Sequence, residues 1–233
     1  MTEKALIEIA QNELANPSSA WSEALIKTYP CVTENGKATI ARVDLDIYEG
    51  IGAAYAPVKD ERFFLVVFVD LSTGAVTGVA TESWNRIKFT AISETLSAEA
   101  LRQLTSIKPN SIINKGDKIG PDTYSYSSIS VVIDSAIPES VEAKLRKLLN
   151  ILKEDPDGIK QLVEQADGEI VVAIDYPVRT GSLGDIMLEN DILRDIAALG
   201  LSINWHAFTS EMNVLTADQQ NVLDKLNNTN DKS

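Results

Sequence analysis

The chain has 233 residues, with 34 Asp and Glu against 21 Lys and Arg and a formal net charge of −13. That balance leaves no basic stripe for a phosphate backbone and argues against nucleic-acid binding. One histidine, His206, and one cysteine, Cys31, stand far apart, so Ser–His–Asp, Cys–His and soft-metal sites lack their parts, as does an intramolecular disulfide.

The N-terminal third opens with helices. Leu6, Ile9, Ala10 and Leu14 recur at helical spacing until Asn16-Pro17 breaks the run. Ser18 or Ser19 caps a second helix, predicted to carry Trp21, Leu25 and Tyr29 on one face and to end at Pro30. From Lys37 to Tyr48 the period becomes two. Val43, Leu45 and Ile47 face one way, and Arg42, Asp44 and Asp46 the other. Phe63 to Leu71 is a β-prone run, Ser72-Thr73-Gly74 a tight turn, and Ala75 to Thr81 the returning strand.

A new unit is expected to begin near Glu82–Arg86. Arg86 to Ile92 reads as its first strand. Ser97 caps a helix with Leu101, Leu104 and Ile107 on its apolar side, stopped at Lys108-Pro109. Residues 110–123 read as a polar loop, and Tyr124 to Asp134 as a strand. Pro138 is predicted to start the longest helix, with Val141, Leu145, Leu148, Leu149 and Leu152 as its buried stripe. A short helix carrying Ile159 and Leu162 follows, then a strand from Glu169 to Tyr176. A helix with Ile192, Leu193, Ile196 and Leu199 ends at Gly200, and Leu201 to Phe208 is the last strand. The expected architecture is α+β: two small units, each a mainly antiparallel sheet with helices packed on one face. Their predicted extents are 1–85 and 86–211, followed by a polar tail over 212–233.

The longest apolar run, Phe63 to Val69, suits a strand and is too short to cross a membrane. The N-terminus has neither the basic start nor the apolar core of a signal peptide, so a cytoplasmic location is expected. Asp155, Asp157, Gly158 and Glu164 match calcium-loop spacing, but Lys153 stands where the first ligand is needed. Gly181-Ser182-Leu183-Gly184 lacks the Lys-Ser/Thr of a phosphate loop. Asp44 and Asp46 are read first as a solvated strand face, with a carboxylate pair as the alternative. No catalytic residue, metal ligand or cofactor is predicted. The candidate partner-binding residues are Tyr124 and Tyr126 on one strand face and Asn204, His206 and Phe208 on another, with Ile203, Trp205 and Ala207 opposite.

From Arg86 to Thr209 the chain resembles the bacterial family called domain of unknown function 4279. The likeness rests on Ile107-Lys108-Pro109, on Lys115-Gly116-Asp117, on the helix with Leu145, Leu148 and Leu152, and on the closing run from Asp191 to Ile203. The chain departs from the family where Tyr124-Ser-Tyr-Ser-Ser replaces an expected tryptophan. The family has no established activity. The resemblance implies a bacterial, cytosolic binding protein of the kind associated with toxin loci, and it leaves residues 1–85 unexplained. The expected function is therefore non-catalytic protein binding, most concretely a toxin-neutralising immunity protein that occludes a basic toxin domain. The alternatives are a carboxylate-based, metal-dependent enzyme built on Asp44 and Asp46 and a small-molecule sensor module.

Overall fold

A computed structural model describes residues 1–133, 137–176 and 186–209. The fold is α+β, with mainly antiparallel sheets. The described residues fall into two compact units. One holds 1–85, 137–140 and 174–176; the other holds 86–133, 141–173 and 186–209.

The first unit begins with α1 (Glu3–Ala15) and α2 (Ala20–Thr28), capped by the hydroxyls of Thr2 and Ser19. These side chains accept from backbone N–H groups that the first helical turn leaves without a partner. A small hairpin of β1 (Thr33–Glu34) and β2 (Lys37–Ala38) turns at Asn35 and Gly36, both at positive φ. The sheet proper is β3 (Arg42–Tyr48), β4 (Ile51–Pro57), β5 (Phe63–Asp70) and the first half of β6 (Val76–Ser93), antiparallel throughout. Leu6, Ala10, Leu14 and Leu25 of the helices close on Ala54, Ala56, Leu65, Val67 and Val69. Gly52 permits the seat of α1: a Cβ there would lie 2.5 Å from Leu6 Cδ1 and 2.7 Å from Leu71 Cδ2.

Two local readings change in this unit. Trp21 does not share the buried side of α2. It is 66% exposed, while its indole N–H donates to the Val79 carbonyl at 3.1 Å. A register shift between Asp44 and Tyr48 also breaks the alternation of β3. Val43 and Leu45 pack on the helix side of the sheet, whereas Ile47 packs on the other side beside Ala53, Tyr55 and Val66. One extra residue in a strand reverses the facing of everything after it.

The chain passes between units within β6, at Asn85 and Arg86. The two strands predicted on either side of residues 82–86 are thus one strand of 18 residues, common to both sheets. Val76–Ser83 faces β5, and Lys88–Ser93 faces β10.

The second unit contains α3 (Ala98–Gln103), β7 (Ser111–Ile113), β8 (Lys118–Ile119), β9 (Asp122–Thr123), β10 (Ser127–Val132), α4 (Val141–Leu152), α5 (Pro156–Gln165), β11 (Asp167–Tyr176), α6 (Asn190–Ala198) and β12 (Ser202–Thr209). Its strand order is β7-β10-β6-β11-β12. The predicted stripe of α4 is buried from Val141 to Leu152, as are Ile159 and Leu162 of α5 and Ile192 and Ile196 of α6. Leu193 is exposed instead. Gly200, at φ 70°, ends α6 and releases the chain into β12. The calcium-like string folds as a helix start. Asp155 caps α5 through Gly158 N–H at 3.0 Å and also accepts from Thr105 and Ser106, so its oxygens are occupied.

Candidate functional site

The predicted residues lie in two places. Tyr124 and Tyr126 do not open a strand, because β10 begins only at Ser127. They close the β8–β9 hairpin. Tyr124 N–H donates to the Asp117 carbonyl at 3.0 Å, and Gly116 N–H donates to the Tyr124 carbonyl at 2.9 Å. Gly116 and Gly120 supply the positive φ that this tight return needs. Lys115 N–H donates to Ser127 Oγ, and Lys115 Nζ to the Glu94 carbonyl. The two half-buried rings meet edge to face, 5.4 Å apart and inclined at 69°. Burial first, then Tyr126 and Asp117, pushes the Tyr124 phenol up, so it remains a neutral hydroxyl that can donate or accept.

Asn204 and His206 lie in β12, which ends the strand order of its unit among the described residues. Asn204, Trp205, His206 and Ala207 are all exposed, so both faces of the strand meet solvent here. The side chain of Phe208 is outside what the structure describes. Trp205, on the opposite face with Ile203 and Ala207, is 41% exposed. The order β10-β6-β11-β12 puts two strands between β10 and β12. The tyrosine pair lies outside the strands, before β10, whereas Asn204 and His206 lie in β12, which is not a neighbour of β10.

The Asp44 carboxylate is engaged on both oxygens. One is bound to Arg42 at 2.7 Å, and the second accepts the Asp46 N–H at 3.0 Å. Arg42 also reaches Glu139 at 2.8 Å and the Pro138 carbonyl at 2.7 Å, while its guanidinium lies 5.8 Å from the Tyr55 ring centroid. Glu139 is 5% exposed and Tyr55 is 1% exposed. Burial, then Glu82, drives the Tyr55 phenol far up. Asn85 Nδ2 holds the Glu139 carbonyl at 2.7 Å. With both carbonyls taken, residues 138–140 stay out of the helix, and α4 starts at Val141 rather than at Pro138. Nearby, Arg62 stacks 4.8 Å from the Trp84 ring and reaches Asp175 at 3.7 Å. No local motif signals this network, since Arg42 and Pro138 are 96 positions apart.

Among the described residues no group of three or more His, Cys, Asp or Glu is placed to hold a metal ion. Cys31 bridges Val58 in backbone pairing, and burial pushes its thiol up to about 11, which holds it in the unreactive protonated form. The string Gly181 to Gly184 and the tail 212–233 lie outside the described residues. Among those residues no helix is long and apolar enough to cross a membrane.

The family described as Domain of unknown function (DUF4279) matches residues 82–209, more than half of the chain and ending on the last residue of β12. The chain belongs to this family. Its match spans all of the described second unit and leaves the helices and β1–β5 of the first outside. No curated protein and no solved structure matches the chain. Within the DUF4279 segment, Trp205 is the residue that sequence reasoning missed. Alternation gave it only a face shared with Ile203 and Ala207, and among the described residues it stands exposed on a strand at the end of its sheet.

Proposed function

We propose that this protein is a non-catalytic binding protein whose surface includes β12, with a basic protein domain as partner. The observation that carries the reading is Trp205: an exposed indole in the middle of an end strand, between the exposed polar side chains of Asn204 and His206. Tryptophan supplies a large contact area at low conformational cost and is enriched among residues that dominate interface energies. A net charge of −13 favours encounter with a positively charged partner. The binding of Asp44 to Arg42 supports this reading over carboxylate chemistry. In its most concrete form the protein is a bacterial, cytoplasmic immunity protein that covers the working face of a basic toxin domain and excludes its substrate.

The test places photo-reactive benzoylphenylalanine at position 205 in the native bacterium. The expected product is one cross-linked basic protein, which then forms a stoichiometric complex with the purified chain. Trp205→Ala should weaken that complex by about tenfold or more. Recovery of a bound small molecule in place of a protein moves the reading to a sensor, and a complex indifferent to Trp205→Ala removes β12 from the surface.

A further inference from the structure

Among the described residues β3, β7 and β12 end the main strand orders of the two units, and they differ in how their edges are guarded. Open strand edges invite pairing with another chain, and proteins blunt them with charges, proline, bulges or brevity. β3 carries Arg42, Asp44 and Asp46 and a register shift. β7 is three residues long. β12, Ser-Ile-Asn-Trp-His-Ala-Phe-Thr, has eight residues and not one Asp, Glu, Lys, Arg or Pro. In a chain where 24% of residues are charged, this is, among the described residues, the one long end strand without a device against pairing.

Resting on the protein-binding reading above, we infer that β12 is a strand-addition site: the partner lays an extended segment along it and extends the sheet by one strand. Backbone hydrogen bonds supply the attachment, and alternate side chains of the incoming strand pack against the exposed Trp205 and its neighbours. The net charge selects the occupant. A second copy would bring another −13 to the same edge, whereas a basic segment is attracted to it.

The probe is an acetylated, amidated octapeptide of alternating lysine and valine, added to the full-length protein. Its amide signals report which residues of the chain it touches. One copy N-methylated at every valine and one at every lysine test the pairing. An added strand turns only every second N–H toward its neighbour. The expected result is signal change confined to β12 and β11, with one methylated copy losing at least about tenfold in affinity and the other keeping it within about twofold. A glutamate–valine octapeptide should bind at least about tenfold more weakly than the lysine peptide. Equal loss in both methylated copies, loss in neither, signal change away from β12, or no binding by about 1 mM overturns strand addition. None of these outcomes touches the cross-link from position 205. If that cross-link forms while the peptide test fails, the protein is bound through side chains alone, and strand addition is wrong while the binding reading stands.

Discussion

The end strands β3 and β12 carry opposite solutions to the same problem. β3 places charges at its edge and ties them down. Arg42 sits between Asp44 and Glu139 and over Tyr55, and the strand shifts register before it can present a regular edge. β12 is regular, uncharged and exposed through its middle. The difference teaches that charged residues on an end strand of this molecule serve its own structure. Arg42 and Asp44 in β3 are bound to neighbouring groups and hold structure, while β12 is set apart by an exposed aromatic ring and the absence of charge.

The largest expected effect tests the inward side of that comparison. Arg42→Ala removes the cation between two carboxylates, one of them on a buried residue, and should cost about 3 kcal/mol, read from the shift of the urea unfolding midpoint. A loss below about 1 kcal/mol would place this network with ordinary surface ion pairs and erase the contrast. Trp205→Ala should do the reverse. Stability should stay within about 0.5 kcal/mol, because the ring is exposed, while partner affinity falls by the tenfold already given. An equal loss of stability would make Trp205 a structural residue and leave β12 without its distinguishing feature.

Charge steering should be visible in rates. Raising ionic strength from about 0.05 M to about 0.5 M should slow association with the basic partner by about tenfold and leave dissociation nearly unchanged. Rates insensitive to salt would detach the net charge from the function. The smallest effect concerns Asp70, whose carboxylate accepts from the Ser72 hydroxyl and from the Ser72 and Thr73 N–H groups at the β5–β6 turn. These bonds, the Ser72 hydroxyl first, lower it from 3.8 to about 2. A carboxyl lowered on folding stabilises the fold above its unfolded value and loses that contribution as pH falls toward the folded one. Asp70→Asn should therefore flatten the pH dependence of stability between about pH 4 and pH 2 and leave partner binding untouched. An unchanged pH profile would show that the turn does not depend on this carboxylate.

Much of the fold was legible because its signals are local. The stripe from Val141 to Leu152, the hydroxyl caps of Ser19 and Ser97 and the glycine that ends α6 each depend on residues within a turn or two. The candidate surface was legible only in part. Asn204 and His206 were placed in the right strand, and Tyr126 beside Tyr124, but nothing singled out Trp205, which was read only as sharing a face with Ile203 and Ala207. Strand alternation says which side chains share a face and nothing about whether a layer covers it. Arg42 and Glu139 could not be paired from spacing, because folding rather than sequence proximity brings them together.

By itself, then, the sequence determined the helices with long apolar stripes, the strand-rich middle, the membership suggested by residues 86–209 and the acidic charge, all of which follow from residue type and short-range period. The tertiary structure alone decided that β6 runs unbroken through residues 82–86, that a register shift turns Ile47 away from Leu45, that Arg42 neutralises Asp44, and that β12 stands at the end of its sheet. Each of these depends on which strand lies beside which, and strand neighbours are chosen by burial across the whole core, over separations that no local pattern spans.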